Sequence, residues 1–497
     1  MRFFDLRWVV AVGVLFATPV SAQDSAQPVK TIDRDPYSDI FFKTLPLRPL
    51  TLSGTGGRNY TTDQKATIGG RTLKYRTTLA EVILRDAGGR PMASVFSTSY
   101  VSQWRGEATR PVLFAFNGGP GGSSSIANFV FGPLRLKSEA PEKLHDPDNG
   151  VEANPLSLLD VADLVFIDPV ETGYSKVLPG IEDHPFFTLD GDAEQVTAVI
   201  LQWLRDHQRL GSPVYIFGES YGSLRAVAVA RDLARSEPAV VARGVILAGT
   251  SLTLSGWGRA SNPMLLANRV PMMASVAHYH GMIDNTGQTW DQAVERARKF
   301  AYQDYLPALM KGTSLTHEEF DRTISALPGI IGVPEQHFRA GGKITVSDFN
   351  RELLKHQNRV LDSNNGLFTH AKDYVSPRTY EAFSAAYERN IASRLGAKGL
   401  GKYLAINPNL FSRWESKMSG APTMDVTLRQ LVDQHPNLRV LVMQGRYDTL
   451  TDLGTTEFMM AQSQVPQDRY KIAYYDGGHS IIPVPEAIEP IRELLSR

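Results

Sequence analysis

Ser220 stands in Gly218-Glu219-Ser220-Tyr221-Gly222, the only G-x-S-x-G in the chain. A serine hydroxyl becomes a useful nucleophile only when a base takes its proton. Small residues on both sides suit a sharp strand-to-helix turn that lifts the hydroxyl clear of the backbone. In such a turn the acid and the histidine come later in the chain, each just past a strand. Two apolar runs meet that requirement: Arg439–Gly445 leads into Arg446-Tyr447-Asp448, and the run 471–478, KIAYYDGG, leads into His479. Alone, Asp448 reads as a turn residue and His479 as one of 11 histidines. Their order and strand-end positions give them a joint role. Ser220 is assigned as nucleophile, His479 as general base, and Asp448 as the carboxylate that sets the imidazole tautomer.

Acyl transfer also needs N–H donors aimed at the developing oxyanion. Tyr221, the residue after the nucleophile, supplies one. The other is expected from an earlier glycine-rich loop. Asn117-Gly118-Gly119-Pro120-Gly121-Gly122, which follows an apolar run and precedes three serines, fits that place, with Gly119 as the donor. The loop has neither the lysine nor the spacing of the nucleotide-phosphate fingerprints. The anion it serves is of another kind.

These residues need a scaffold, and the chain spells one. Continuous apolar runs recur at 112–117, 163–168, 214–220, 244–250, 439–445 and 471–478, the pattern of strands buried on both faces. Helical text lies between them. In 192–208, Val196, Val199, Ile200, Trp203 and Leu204 share one helical face, and 223–235 continues directly from the Ser220 turn. Residues 67–101 alternate around Gly88-Gly89-Arg90-Pro91 and read as an antiparallel meander. The class is therefore α/β. The alternation lapses between 255 and 436, where amphipathic helical text suggests a cap inserted between two strands. The division reads as follows: 1–22 a signal, 23–65 an N-terminal extension, 66–254 and 437–497 the two parts of the core, and 255–436 the helical insertion.

Composition sets the wider limits. With 42% hydrophobic and 21% charged residues over 497 positions, the chain can bury a core of its own. Residues 1–22 carry two arginines, an apolar stretch too short for a stable span, and Val20-Ser21-Ala22 at a signal-peptidase position. Export with cleavage near Ala22, to a periplasm or the exterior, is the expectation, with no membrane anchor afterwards. Loss of Arg2, Arg7 and Asp5 takes the formal charge from 0 to −1, which leaves no basic footprint for nucleic acid. There is no cysteine, which removes thiol chemistry and Cys-ligated zinc. No metal and no cofactor are expected. His278-Tyr279-His280 has a spacing that turns the two rings apart, and Trp257, Met272 and Met273 read as packing.

Taken in order, NGGPGGSSS, NPLSLLDVADLVFIDPVETGYS, GESYG, QGRYD and GGHSIIPVPEA resemble the successive blocks of the serine carboxypeptidase family across roughly residues 67–497. The resemblance implies an α/β-hydrolase fold with a central, mostly parallel sheet, flanking helices and a large helical cap. It implies release of C-terminal residues from peptides at acidic pH, with Ser220, Asp448 and His479 as the triad and Gly119 and Tyr221 as oxyanion donors. It further implies that Asn117 and Glu219, with the Gly118 N–H, bind the terminal carboxylate of the substrate. A carboxylate facing Glu219 cannot coexist with it fully ionised, so the two would share a proton, which favours acidic pH.

The chain departs from the family in three places. Gly122 stands where a cysteine is usual, no acidic residue shortly precedes Gly132-Pro133, and Arg225 is new. Arg225 reads as a helix-surface charge, or else as a contact in the leaving-residue pocket. The alternative activity is an esterase or acyltransferase on the same triad. Asn117 speaks against it, since esterases of this fold tend to present His-Gly-Gly there. A binding protein without catalysis is disfavoured by the complete triad and oxyanion loop.

Overall fold

Val112-Leu113-Phe114-Ala115-Phe116 offers no polar side chain to water, and in the computed structural model it is a strand buried along its whole length. The structure describes residues 50–497 apart from 104–108, 139, 251, 253–261, 285, 338–342, 375–379 and 415–422. The readings of residues 1–22, of most of 23–65 and of Trp257 lie outside the described residues. The ten strands of the main sheet are β1 (Ser53–Ile68), β2 (Arg71–Arg85), β3 (Pro91–Ser102), β4 (Val112–Phe116), β5 (Asp163–Ile167), β6 (Lys176–Val177), β7 (Val214–Glu219), β8 (Ala242–Ala248), β9 (Arg439–Gly445) and β10 (Tyr470–Tyr475). Their spatial order is β1-β2-β3-β5-β4-β7-β8-β9-β10, with β6 beside β3. Pairing is antiparallel from β1 to β5 and parallel from β5 through β4 to β10.

Successive residues of a strand face opposite sides, and here they fill two cores. Phe114, Ile216, Leu247 and Val442 pack with helices α2 (Leu189–Asp206) and α3 (Tyr221–Ala234). Leu113, Phe217, Ile246 and Met443 pack on the other face with α1 (Ser125–Phe131) and the C-terminal helix Pro485–Leu495. The three parallel strands β4, β7 and β9 thus end at one edge, where the chain leaves the sheet carrying Asn117, Ser220 and Asp448.

The stretch 23–65, read as an N-terminal extension, includes most of β1, a sheet-edge strand paired along its length with β2. Its text, SGTGGRNYTTDQKATI, lacks an apolar alternation because it lies at the edge and its side chains are mostly exposed.

The residues between β8 and β9, read as one cap, supply three packing units. Helices α4 (Pro263–Tyr279), α5 (Trp290–Phe300) and α6 (His317–Ile331) share a core that also takes Tyr447 and Leu453. Met272 and Met273 are buried there. Residues 380–405 pack instead against Leu79, Phe96, Phe129 and Tyr174. The helix Met424–Gln434 joins the core of α2 and α3. Among the described residues no helix is long and apolar enough to cross a membrane.

Candidate active site

Ser220 joins β7 to α3 with φ 58° and ψ −128°, a backbone conformation that non-glycine residues rarely hold and that marks a strained turn. The turn is locked by Ser220 N–H donating to the Ala248 carbonyl at 2.8 Å and by the Ser223 hydroxyl donating to the Ser220 carbonyl at 2.6 Å. The Gly pattern has a steric reason, because a Cβ on Gly218 would collide with the Gly222 carbonyl. The Ser220 hydroxyl does not cap α3, so the helix amides do not consume it.

His479 follows β10 through Gly477-Gly478, and its N–H donates to the Asn364 carbonyl at 2.7 Å. Its ring lies against Gly249, the residue after the one that holds Ser220 N–H. Nδ1 is 3.1 Å from Asp448 Oδ2 and 3.0 Å from Thr451 Oγ1. Asp448 is fully buried. Its Oδ1 accepts from the N–H groups of Leu450 and Thr451, both at 2.8 Å, and its Oδ2 accepts from the Thr451 hydroxyl at 2.6 Å. A carboxylate held this way can accept from Nδ1–H of His479, which leaves the Nε2 lone pair open to a proton. Burial works against the imidazolium, but the charge and hydrogen bond of Asp448, with the charge of Glu219, outweigh it and raise the His479 pKa. Among the described residues no hydrogen bond joins the Ser220 hydroxyl to His479, a contact of the kind that tightens on substrate binding.

The glycine loop meets the turn closely. A Cβ on Gly118 would sit 2.6 Å from Tyr221 N, so the glycine-loop backbone lies against the Ser220 turn, and glycine is required there. Gly119 follows, with φ +114°. The Asn117 side chain donates from Nδ2 to Glu219 Oε1 at 3.1 Å and accepts at Oδ1 from Ala127 N–H at 3.0 Å. Glu219 Oε2 accepts from Ile481 N–H at 2.9 Å. Burial raises the Glu219 pKa, against the Ile481 N–H, the His479 charge and Asn117, while the Asp448 charge adds to the rise. Asn117, Glu219 and the loop after His479 are therefore one bonded unit.

Several contributors escaped the sequence reading. Thr451 is one. Asp168 is another: its Oδ1 accepts from Ser124 N–H at 2.8 Å and from the Tyr403 hydroxyl at 3.1 Å. Burial lifts its pKa to about 7 against those two bonds. Beside it, residues 405–407 run along the glycine loop, with Ser123 N–H on the Ala405 carbonyl at 2.9 Å and Asn407 N–H on the Gly121 carbonyl at 2.8 Å. Gly122, where a cross-link is usual, pairs with Ile406 across this bridge.

Arg225 corrects both of its readings. It is fully buried, with Nε on Asp192 Oδ2 and Nη1 on the Asn117 carbonyl, each at 2.6 Å. It is neither a surface charge nor a pocket contact, because Asp192 from α2 neutralises it beneath the loop. His278 Nε2 and His280 Nε2 bond to the carbonyls of Gln288 and Gly366. Among the described residues no group of three or more His, Asp or Glu could hold a metal ion.

The serine carboxypeptidase family profile matches residues 93–480. None of the curated proteins matches the chain in sequence. Similar solved structures include a prohormone-processing carboxypeptidase from Saccharomyces cerevisiae, 14% identical over 74% of this chain and 72% of that one, with a TM-score of 0.47. Another is a thermophilic esterase from Thermogutta terrifontis, 15% identical over 87% of this chain and 98% of that one, with a TM-score of 0.29. A third is a proline iminopeptidase from Mycobacterium smegmatis, 12% identical over 81% and 93%, with a TM-score of 0.32.

Proposed function

The chain belongs to the serine carboxypeptidase family, with its α/β-hydrolase fold, and from that premise we propose that it removes C-terminal residues from peptides through an acyl-enzyme on Ser220. His479 Nε2 takes the Ser220 proton as the hydroxyl attacks the last peptide carbonyl. The N–H groups of Gly119 and Tyr221 receive the oxyanion. His479 then gives the proton to the leaving amine, and a water, activated in the same way, releases the shortened peptide. Asp448 holds the imidazolium that forms in each half.

One observation carries the exopeptidase reading: the buried Asn117–Glu219 hydrogen bond immediately before the nucleophile. With its pKa raised by burial, Glu219 can keep a proton and donate it to a substrate carboxylate. The esterase reading draws on a different fact. Both Glu219 oxygens and both ends of the Asn117 amide already have protein partners, as they would in a purely structural bridge. Peptides with a free C-terminus, compared with the same peptides amidated, decide between the two. Far higher kcat/KM for the free acids at pH 5 is expected. Equal values would transfer the assignment to the esterase. Residues 1–22 are proposed as an export signal, checked by the N-terminal sequence of the protein recovered outside the cytoplasm.

A further inference from the structure

One ion pair outside the catalytic steps is fully buried. Arg225 on α3 and Asp192 on α2 have side chains with no solvent exposure and meet at 2.6 Å. Removing two charges from water is costly, and their attraction offsets the cost only when the remaining donors and acceptors are well satisfied. Val196, Val199 and Val227 of the two helices belong to one apolar core, and a second pair, Arg231 with Asp190 at 3.0 Å, also joins the helices. The Arg225–Asp192 pair does more than join the helices, because Arg225 Nη1 reaches the glycine loop and donates to the Asn117 carbonyl at 2.6 Å. Its guanidinium carbon lies 5.3 Å from the ring centre of Phe116 and 5.4 Å from that of Tyr221. Those two residues flank the loop and the nucleophile.

The Asn117–Gly118 peptide is trans. In a trans peptide the carbonyl and the next N–H point in opposite directions. Holding the Asn117 carbonyl toward Arg225 therefore turns the Gly118 N–H to the opposite face of the loop. A cation on the carbonyl oxygen also polarises the amide and makes its N–H a stronger donor. We infer that Arg225, anchored by Asp192, is a positioning residue that presents the Gly118 N–H to the terminal carboxylate of a peptide substrate. The inference deepens the proposed exopeptidase function and rests on it. An arginine is needed because its flat fork spans Asp192 and the carbonyl at once, whereas a lysine ammonium has no fixed plane.

The test compares kcat and KM for a free-acid peptide and its amide in the wild type, in Arg225→Lys, and in the double variant Arg225→Met with Asp192→Leu. The double variant leaves no lone buried charge. If the inference holds, KM for the free acid rises about tenfold in the double variant, the scale of one weakened hydrogen bond to a charged group. KM for the amide moves far less, and Arg225→Lys falls between. A wild type that prefers the free acid, beside a double variant that keeps the same preference, overturns the inference and leaves the exopeptidase reading standing. Parallel losses on both substrates overturn it too, since they mark a merely structural role. A wild type without preference removes the exopeptidase reading and the inference together. Should the double variant not fold, the KM ratio of Arg225→Lys decides alone.

Discussion

At the scale of single residues, His479 and Glu219 titrate as neighbours. Glu219 in its charged form helps raise the His479 pKa, after the larger influences of burial and Asp448. Protonation of Glu219 therefore makes it easier for His479 to remain neutral, as the proposed function requires of a site that binds a carboxylate and runs base catalysis at one mildly acidic pH. Glu219→Gln keeps a hydrogen-bond donor and removes the charge. The acid limb of kcat/KM should move to lower pH in this variant, because His479 loses an acidic neighbour. In the wild type, KM for free-acid peptides should climb at higher pH as the shared proton is lost, and in the variant that climb should largely disappear. An unchanged acid limb would mean that the two groups do not communicate. Thr451 belongs at this scale as well, since its hydroxyl donates to Asp448 and sits beside His479 Nδ1. Thr451→Val should lower kcat roughly tenfold with little change in KM, the size expected for losing a hydrogen bond to a charged group. Asp448→Asn should cost roughly three to four orders of magnitude in kcat, because the wrong tautomer is then favoured.

At the scale of elements, the parallel strands were legible because burial on both faces leaves a run of apolar letters, and β9 has the bounds its run suggests. The strand-end positions of Ser220, Asp448 and His479 were legible because strand ends and chain order constrain them together. What escaped notice shares a physical cause. β1 is an exposed edge strand, and the bridge from 405–407 to the glycine loop is made by backbone groups, which any sequence possesses. Arg225 sits five residues after the nucleophile on a helix and looks solvent-facing until Asp192, from another helix, is placed against it. The bridge orders the loop at residues 121–123, while Arg225 holds it at Asn117, and it gives this chain without cysteine a substitute for a covalent tie. Tyr403 fastens it through Asp168. Tyr403→Phe should therefore destabilise the protein by roughly 1–3 kcal/mol in urea unfolding, as for a buried bond to a carboxyl group, and should lower kcat through the loosened loop. Full stability with full activity would show that the bridge needs no side-chain fastening.

At the scale of the whole molecule, the buried acids tilt the fold toward mildly acidic conditions. Burial raises the pKa of Asp168 to about 7 and of Asp452 to about 6, and it raises those of Asp192, Glu219 and Asp232. Each such group binds its proton more tightly folded than unfolded. Its contribution is complete below the ordinary aspartate or glutamate value and is lost as pH rises through the folded one. His479, also raised, acts in the same sense. The opposing groups fall elsewhere or weigh less. Glu81, lowered to about 2 by Arg58 above all, loses its contribution only as pH falls below the ordinary glutamate range. The lowered pKa values of Asp63, Asp146, Asp284 and Glu319 belong to exposed groups screened by water. His280 and His435, lowered by burial, oppose the trend but are only partly enclosed. Thermal unfolding should therefore show Tm rising as pH falls from about 7.5 to about 5. Asp168→Asn keeps an oxygen for Ser124 N–H and for the Tyr403 hydroxyl but cannot titrate, so it should flatten that slope most between the ordinary aspartate value and about 7. A Tm that increases with pH over this window, or a slope untouched by Asp168→Asn, would mean that the buried acids are already ionised in the native protein.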